Sequence, residues 1–458
     1  MNAWNQLYAH VLWPAMDAGY RGLGRRMREY QRLERLSPEA IAERQWRDLQ
    51  RLLRHAYATC PFYRRRFDRA GLDPGRMHGP EELQRLPALT RDDLRGQGAA
   101  MRSRAFAGAS LLPAASGGTT DTPVPLWRDP ESVRAKHAIQ EVFHLWAGSR
   151  PGDKVFYLWG ARSDFPAAPS WRWRAYQRYV KREHIAASSQ LGAATMEEYR
   201  QRCNRFQPRI LRAYPTPLAV WADFLLQSGR DYHRPHAIVV TAEALLPAQR
   251  RMIERAFACP VYEHYGSREF GMIAAQCERL EGMHVHPAIA YVEREAVPGG
   301  GGLEQLLVTD LLNYGMPLIR YQINDCVTGA AAPCGCGRGF AVLPGISGRT
   351  ADVLRRRDGT LVPGVALTNR VLQVSPGLVQ TQIIQESELA FRLRYVPGPA
   401  FTPADLEPLR RKLQEFLGEG LHWEWEAVPE IPREANGKTR FCISRLPQPW
   451  QAGGQHGT

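Results

Sequence analysis

A strand–helix–strand pattern in the middle of the chain constrains the fold more than any other feature. Residues Ala237–Thr241 form a continuous apolar and β-branched run, which is typical of a buried strand. An amphipathic helix is predicted over Leu245–Phe257, and Pro260–Tyr262 starts the next strand. Because parallel neighbours are joined by a crossover, usually a helix, this pattern predicts a parallel sheet covered by helices.

Around this unit we predict an α/β fold. A large N-terminal domain has parallel sheets and flanking helices, and a small mobile α+β domain follows at the C-terminus. Residues 1–90 have helical periodicity, and Ser37 is placed to cap a helix that carries Pro38 in its first turn. The predicted divisions are 1–90 for a helical region packed on the large domain, 91–347 for the large domain and 348–458 for the small domain.

Further strands are predicted on both sides of the last division. Residues Leu303–Leu311 form a strand-like run in the large domain. In the small domain, two short strands over Thr381–Ile384 and Phe391–Val396 precede a helix over Pro403–Leu417. This alternation gives a compact α+β unit of ordinary domain size.

Composition and charge exclude several classes of protein. The chain has 458 residues, of which 44% are hydrophobic, and its net charge is +14. No apolar run reaches the roughly 20 residues that span a bilayer, and the N-terminus lacks the pattern of a signal peptide, so a cytoplasmic protein is expected. The positive charge is dispersed and accompanies no nucleic-acid-binding motif, so no nucleic-acid partner is expected.

A loop rich in small and hydroxylated residues is the first candidate site. It consists of Ser116, Gly117, Gly118, Thr119 and Thr120 and is followed by Asp121. Glycine allows close approach of the backbone to a ligand, and hydroxyls and backbone N–H groups suit phosphate oxygens. A solvated turn is the alternative interpretation of such a composition.

More motifs follow in a fixed order along the chain. They are Tyr262-Glu263-His264-Tyr265-Gly266-Ser267-Arg268-Glu269, Val308-Thr309-Asp310-Leu311, Arg320-Tyr321-Gln322-Ile323-Asn324-Asp325, Gly348-Arg349-Thr350-Ala351-Asp352 and Gly437-Lys438-Thr439-Arg440. In this order and spacing they resemble the motifs of the adenylate-forming (acyl-CoA synthetase) superfamily. The resemblance is to the phenylacetate–CoA ligase-like branch, including relatives from capsular and exopolysaccharide loci, and covers residues 53–440.

The resemblance implies a role for each motif in an ATP-dependent reaction. Ser116 to Thr120 would hold the ATP phosphates, although Asp121 stands where the family usually has glycine. Tyr265, with Gly266, would bind the adenine, and Glu269 would bind Mg²⁺. Arg268, where many members have threonine, would offer a guanidinium to the α-phosphate.

Three more residues complete the implied site. Asp325 would accept hydrogen bonds from the ribose, with Asn324 in place of the family's usual glycine. Arg349 would contact the ribose or a phosphate near a hinge at Asp352. Lys438 would reach the reacting carboxylate and α-phosphate. Since only five of the 60 basic residues are lysines, Lys438 stands out within its motif.

Four residues raise the question of a metal. Cys334 and Cys336 flank one glycine, while Cys277 and His284 lie about fifty residues upstream. Three cysteines and one histidine would close a tetrahedral zinc site with no open position, hence a structural one. His286 is a competing fourth ligand, and buried free thiols are the alternative to any metal.

The sequence does not identify the acid substrate. Tyr157, Trp159 and Gly160 follow a predicted strand and line either an acyl pocket or the core. The residues Ala213-Tyr214-Pro215 are open to the same two interpretations.

The resemblance implies an ATP-dependent ligase that forms an acyl-adenylate and passes the acyl group to CoA. The expected ligands are a small carboxylic acid, ATP, Mg²⁺ and CoA, with structural Zn²⁺ as a further one, and a homodimer is left open. The alternatives are an adenylate-forming enzyme with a non-CoA acceptor in polysaccharide or secondary metabolism and a nucleotide-binding homologue without turnover.

Overall fold

The computed structural model describes most of the chain. The described residues are 22–106, 111–115, 124–159, 170–172, 176–188, 191–298, 302–329, 332–346, 348–349, 353–358, 361–363, 375, 377–398, 401–432 and 440–446. At Gly348, Arg349, Val353, Leu361, Pro363 and Val379 only the backbone is described. The predicted site residues Ser116, Gly117, Gly118, Thr119, Thr120 and Lys438 lie outside these ranges, as do Gly160 and Asp352.

The helices and strands are numbered in chain order. The helices are α1 (Leu23–Arg32), α2 (Pro38–Thr59), α3 (Pro61–Arg69), α4 (Arg91–Met101), α5 (Pro130–Trp146), α6 (Ala193–Phe206), α7 (Pro215–Ser228), α8 (Pro247–Phe257) and α9 (Leu406–Leu417). Short 3₁₀ turns cover Leu33–Arg35, Pro80–Arg85, Arg104–Phe106 and Pro403–Asp405, and a π-helical turn covers Tyr176–Lys181.

The strands form five sheets. They are β1 (Leu112–Ala115), β2 (Pro125–Arg128), β3 (Val155–Leu158), β4 (Glu183–Ala186), β5 (Ile210–Ala213), β6 (Ala237–Thr241), β7 (Val261–Ser267), β8 (Gly271–Ala275), β9 (Met283–Val285), β10 (Ala290–Ala296), β11 (Leu303–Asp310), β12 (Tyr321–Thr328), β13 (Val342–Leu343), β14 (Gly348–Arg349), β15 (Val353–Arg355), β16 (Leu361–Pro363), β17 (Leu378–Gln385), β18 (Ala390–Pro397), β19 (His422–Ala427) and β20 (Cys442–Ser444).

The helix start predicted at Ser37 and Pro38 is confirmed as the start of α2. Ser37 precedes α2, and its Oγ accepts a hydrogen bond from the Ala40 N–H at 3.3 Å. This bond satisfies one of the otherwise unpaired N–H groups of the first turn. Leu49 and Tyr63, from α2 and α3, are buried in the same core as Val308 and Ile319 of the large domain. Residues of α2 and α3 therefore share one core with residues of the predicted large domain.

The central sheet has eight strands in the order β13-β9-β8-β7-β6-β5-β3-β4. Strands β4, β3, β5, β6 and β7 are parallel, and the remaining neighbours are antiparallel. The predicted strand Ala237–Thr241 is confirmed as β6, and its parallel pairing with β7 is confirmed as well. The helix predicted from Leu245 begins at Pro247 instead, because proline favours the first helical position and leaves Leu246 as the cap.

Helices cover both faces of the parallel strands. On one face, Trp221 of α7 and Phe257 of α8 pack against Leu211 and Val240 of the sheet. On the other face, Phe143 of α5 contacts the ring of His264 on β7, with the ring centroids 6.1 Å apart. The α/β class with parallel strands is thus confirmed.

A second sheet of four antiparallel strands has the order β10-β11-β12-β14. The strand predicted over Leu303–Leu311 is confirmed as β11, one residue shorter. Strand β14 is two residues long and pairs Gly348 with Cys326 and Arg349 with Asp325. The backbone at the predicted start of the small domain is therefore still hydrogen-bonded to the large one.

The C-terminal region has a core of its own. Strands β19-β18-β17-β20 form one sheet, against which Leu409 and Leu413 of α9 pack over Ile383 and Leu393. The predicted strands are confirmed as β17 and β18, and the predicted helix as a 3₁₀ turn that continues into α9. Within the described ranges, no helix is both long and apolar enough to cross a bilayer.

Candidate functional site

The site begins at the carboxyl end of β7, where the strand turns into β8. Ligands of open α/β sheets bind beyond the carboxyl ends of the strands. A Cβ atom added at Gly266 would lie 2.3 Å from the Gly271 carbonyl oxygen, so only glycine allows the two strands to pair this closely. The close pairing of β7 and β8 therefore explains the glycine at position 266, and this pairing fixes the position of the neighbouring Tyr265.

Tyr265 connects the two large sheets. It is buried, and its hydroxyl donates a hydrogen bond of 2.8 Å to Oδ2 of Asp325 on β12, sixty positions along the chain. Asp325 is in turn the backbone partner of Arg349 on β14. Two side chains predicted to bind the adenine and the ribose thus meet, and the backbone of Arg349, predicted to contact the ribose or a phosphate, lies beside them.

Arg268 and Glu269 occupy the turn between β7 and β8. The Glu269 side chain is buried, whereas Arg268 is exposed. The carbonyl oxygen of Arg268 accepts a hydrogen bond from the guanidinium of Arg128 at the end of β2. Strands β1 and β2 pair antiparallel, with Ala115 opposite Pro125, so the chain segment of the predicted phosphate loop connects the strands of this hairpin.

A buried ion pair lies behind the turn. Lys136 Nζ of α5 donates to Asp310 Oδ2 of β11 at 2.6 Å, and the Asp310 side chain is fully buried. The Lys136 Cδ atom is 3.7 Å from where a Cβ of Gly271 would be, which places the lysine stem against the turn that carries Glu269. Sequence reasoning missed Lys136. The rarity of lysine in this chain was a signal that pointed to it as well as to Lys438.

The four predicted metal ligands come together. The ligand atoms of Cys277, His284, Cys334 and Cys336 all lie within 4.8 Å of one another. The Cys277 and Cys334 Sγ atoms are 3.6 Å apart, and Cys336 Sγ is 3.5 Å from His284 Nε2. A tetrahedral Zn²⁺ with Zn–S bonds of about 2.3 Å separates its ligands by about 3.8 Å. The donor set and its spacing fit zinc.

Backbone hydrogen bonds support the same arrangement. The Arg279 N–H points at Cys277 Sγ at 3.4 Å, and the Arg338 N–H points at Cys336 Sγ at 3.5 Å. Such donors stabilise thiolates, which are the ligand form of cysteine. The competing ligand His286 lies elsewhere: its ring packs edge-on against Tyr30 and Phe340. His284 is therefore the histidine of the cluster.

The fold and the meeting of the motif residues define a protein with the architecture of adenylate-forming CoA ligases. The structure aligns with 2-hydroxyisobutyryl-CoA ligase, solved in the postadenylation state with 2-HIB-AMP, with a TM-score of 0.71 and 21% identity. The alignment covers 92% of this chain and 93% of that protein.

Within that class, the sequence comparisons point to one branch. Residues 354–445 match the CapK C-terminal domain family. The chain is 25% identical to protein CapK of Staphylococcus aureus over 80% of each chain. It is also 25% identical to a phenylacetate-coenzyme A ligase of Aromatoleum evansii over 91% of this chain and 97% of that one. The resemblance found in the motifs is confirmed: the chain is a homologue of the phenylacetate–CoA ligases and CapK.

Proposed function

We propose that the chain is an AMP-forming acid–thiol ligase. It joins a small carboxylic acid to ATP as an acyl-adenylate with release of pyrophosphate, then passes the acyl group to the sulfur of CoA. The observation that carries this proposal is the hydrogen bond from Tyr265 to Asp325, because it joins two of the implied nucleotide-binding motifs across two sheets. The phenylacetate–CoA ligase relatives support the choice of CoA as acceptor.

The described residues suit the first half-reaction. The buried carboxylate of Glu269 would hold Mg²⁺, which neutralises phosphate charge when it is bound. The exposed guanidinium of Arg268 would contact the α-phosphate, and Arg349 and Asp325 would position the ribose. Ser116 to Thr120 would cradle the β- and γ-phosphates with hydroxyls and backbone N–H groups.

The test is a pyrophosphate-release assay with ATP and Mg²⁺ over a panel of aryl and acyl carboxylic acids, with and without CoA. We expect release that depends on one class of acid and that CoA accelerates, because the adenylate is consumed by the thiol. Release that requires an acid but is unaffected by CoA would establish adenylation and indicate an acceptor other than CoA. ATP binding without release for any acid would contradict the proposal and leave a nucleotide-binding homologue.

We further propose that Cys277, His284, Cys334 and Cys336 hold one structural Zn²⁺. Four protein ligands leave no open position, so the ion would stabilise the fold and take no part in the chemistry. Elemental analysis of gently purified protein should find about one zinc per chain. Cys334→Ser should lose that zinc, while Cys259→Ser, which alters a half-buried cysteine outside the cluster, should retain it. Absence of stoichiometric zinc in the unaltered protein would contradict this proposal.

A further inference from the structure

A layer of polar side chains lies between α5 and the central sheet. We call Glu141, His144, Tyr157, Arg212 and His264 the polar layer. Tyr157 on β3 and Arg212 on β5 are register partners, so their side chains share the sheet face that α5 covers. Such a face is ordinarily filled by apolar residues, as its neighbours Ile210 and Val239 fill it here. The polar layer therefore calls for an explanation.

The members of the polar layer contact one another. Arg212 Nη1 donates to the Tyr157 hydroxyl at 2.7 Å, and that hydroxyl is 3.4 Å from Glu183 Oε1. His144 Nδ1 is 3.3 Å from Glu141 Oε1. The rings of His144 and His264 stack with their centroids 5.6 Å apart and their planes 14° from parallel. These contacts fix the orientation of the side chains but do not use all of their polar atoms.

Several buried atoms of the polar layer have no partner within the described part of the chain. Both ring nitrogens of His264 and the Nε of Arg212 are buried without a hydrogen bond there. Arg212 also forms no ion pair with a carboxylate of the described residues, although its positive charge helps to lower the pKa of the Glu141 carboxyl. Buried polar atoms in folded proteins nearly always have a hydrogen-bond partner, so each such atom indicates a bound water or a ligand.

The ionisation of the histidines makes the layer both donor and acceptor. Burial, with the nearby His144 and Arg212, lowers the pKa of His264 well below its ordinary value. Burial and Arg212 likewise lower the pKa of His144. Each ring is therefore neutral at pH 7, with one N–H donor and one bare nitrogen acceptor. His144 already uses its Nδ1 on Glu141, so the donor and acceptor that stay unbonded among the described residues are those of His264.

The polar layer adjoins the carboxyl ends of the strands. Trp159 follows β3 and Tyr214 precedes α7 just after β5, and their rings are 4.5 Å apart. His264 directly precedes Tyr265, whose hydroxyl contacts Asp325. An acid that presents its carboxylate to ATP beside Glu269 would therefore extend its other end toward the layer.

We propose that the polar layer binds hydroxyl groups of the acid, so that the substrate is a hydroxylated carboxylic acid rather than a plain aryl or alkyl acid. A hydroxyl both donates and accepts, which matches the neutral ring of His264, the guanidinium of Arg212 and the hydroxyl of Tyr157. A second carboxylate fits less well, because the nearby carboxyl groups of Glu141 and Glu183 would repel it. This inference rests on the proposed ligase activity.

The experiment compares matched pairs of acids in the pyrophosphate-release assay. The pairs are phenylacetate with 4-hydroxyphenylacetate and butyrate with 3-hydroxybutyrate, and adipate represents dicarboxylates. We expect kcat/KM to favour the hydroxylated member of at least one pair by roughly tenfold or more, since unpaired site groups reject the analogue without the hydroxyl. Arg212→Met should bring that ratio close to one. Arg209→Met is the matched control, because Arg209 lies at the opposite end of β5 and pairs with Asp153 at 3.2 Å.

Two further measurements keep the outcomes separable. Tyr157→Phe removes only one hydroxyl from the layer and serves if Arg212→Met does not fold, as judged by circular dichroism. Calorimetric binding of the same acids without ATP tests the polar layer independently of turnover. Arg212-dependent binding of hydroxy acids without pyrophosphate release would uphold the layer and reject the ligase activity. Preference for the unsubstituted acids or for adipate, or a hydroxyl preference unchanged in the variants, would overturn the inference.

Discussion

Replacing Lys438 by alanine is expected to lower acyl-adenylate formation by about 10²–10³-fold, because a cation placed for the transition state contributes mainly there. ATP binding should change little, since the resemblance assigns Lys438 to the reacting carboxylate and α-phosphate. The measurement is acid-dependent pyrophosphate release, together with the ATP dissociation constant of the same variant.

Lys412→Ala is the matched control for Lys438→Ala. Lys412 lies on α9 in the same C-terminal region, where its Nζ contacts Glu415 Oε2 at 2.7 Å on the surface. An exposed pair of this kind is worth roughly 0–1 kcal/mol, and we expect full activity. Normal pyrophosphate release by Lys438→Ala, or an equal loss in both variants, would remove Lys438 from the reaction.

The second large effect concerns stability. Lys136→Met is expected to lower the free energy of unfolding by about 3–5 kcal/mol, because it leaves the Asp310 carboxylate buried without its cation. Both side chains are withdrawn from solvent, with 9% of the Lys136 side chain and none of Asp310 exposed. Asp310 also accepts hydrogen bonds from the backbone N–H groups of Leu312 and Asn313. Removing the lysine cation would therefore also disturb the backbone at the end of β11. Urea denaturation measures the change.

Two further variants distinguish the loss of this buried ion pair from the loss of a lysine in general. The double variant Lys136→Met with Asp310→Asn should be more stable than Lys136→Met alone, because asparagine removes the unpaired charge and keeps an acceptor oxygen. Lys154→Met should cost about 1 kcal/mol or less, since Lys154 Nζ donates to the Phe206 carbonyl at 3.0 Å and forms no ion pair with a carboxylate of the described residues. Equal destabilisation by Lys136→Met and Lys154→Met would contradict a special role for the buried pair.

Most helices and strands that were predicted correctly are marked by local sequence patterns. The run Ala237–Thr241 and the following helix could be predicted because burial and periodicity are recorded in neighbouring residues. Strand β19 was missed even though Trp423 and Trp425 alternate with glutamates along it. Its parallel partner β18 is separated from it by α9, so the pairing is a long-range one that no local pattern marks.

The candidate site was predictable only as separate motifs. The sequence placed Tyr265 and Asp325 in a nucleotide site through resemblance, but their hydrogen bond depends on the approach of two sheets. The rarity of lysine could have drawn attention to Lys136, but its partner could not be predicted, because Asp310 lies on another element. No signal in the sequence marked Arg212, whose contact with Tyr157 joins two strands. The cysteine–histidine set was the exception, since the sequence named its four candidate ligands together, with His286 competing and free thiols as the alternative, and their ligand atoms lie within 4.8 Å of one another.

The cysteine–histidine cluster also bears on the unfolded chain. Cys277 and Cys334 are 57 positions apart, and the segment between them contains β10, β11 and β12 with Asp310 and Asp325. A cross-link that closes a loop of this length removes about 4 kcal/mol of chain entropy from the unfolded state in the standard loop model. A bound ion would thus act as a removable cross-link. A chelator would lower stability by increasing the entropy of the unfolded chain, and the strands that carry Asp310 and Asp325 lie inside the released loop.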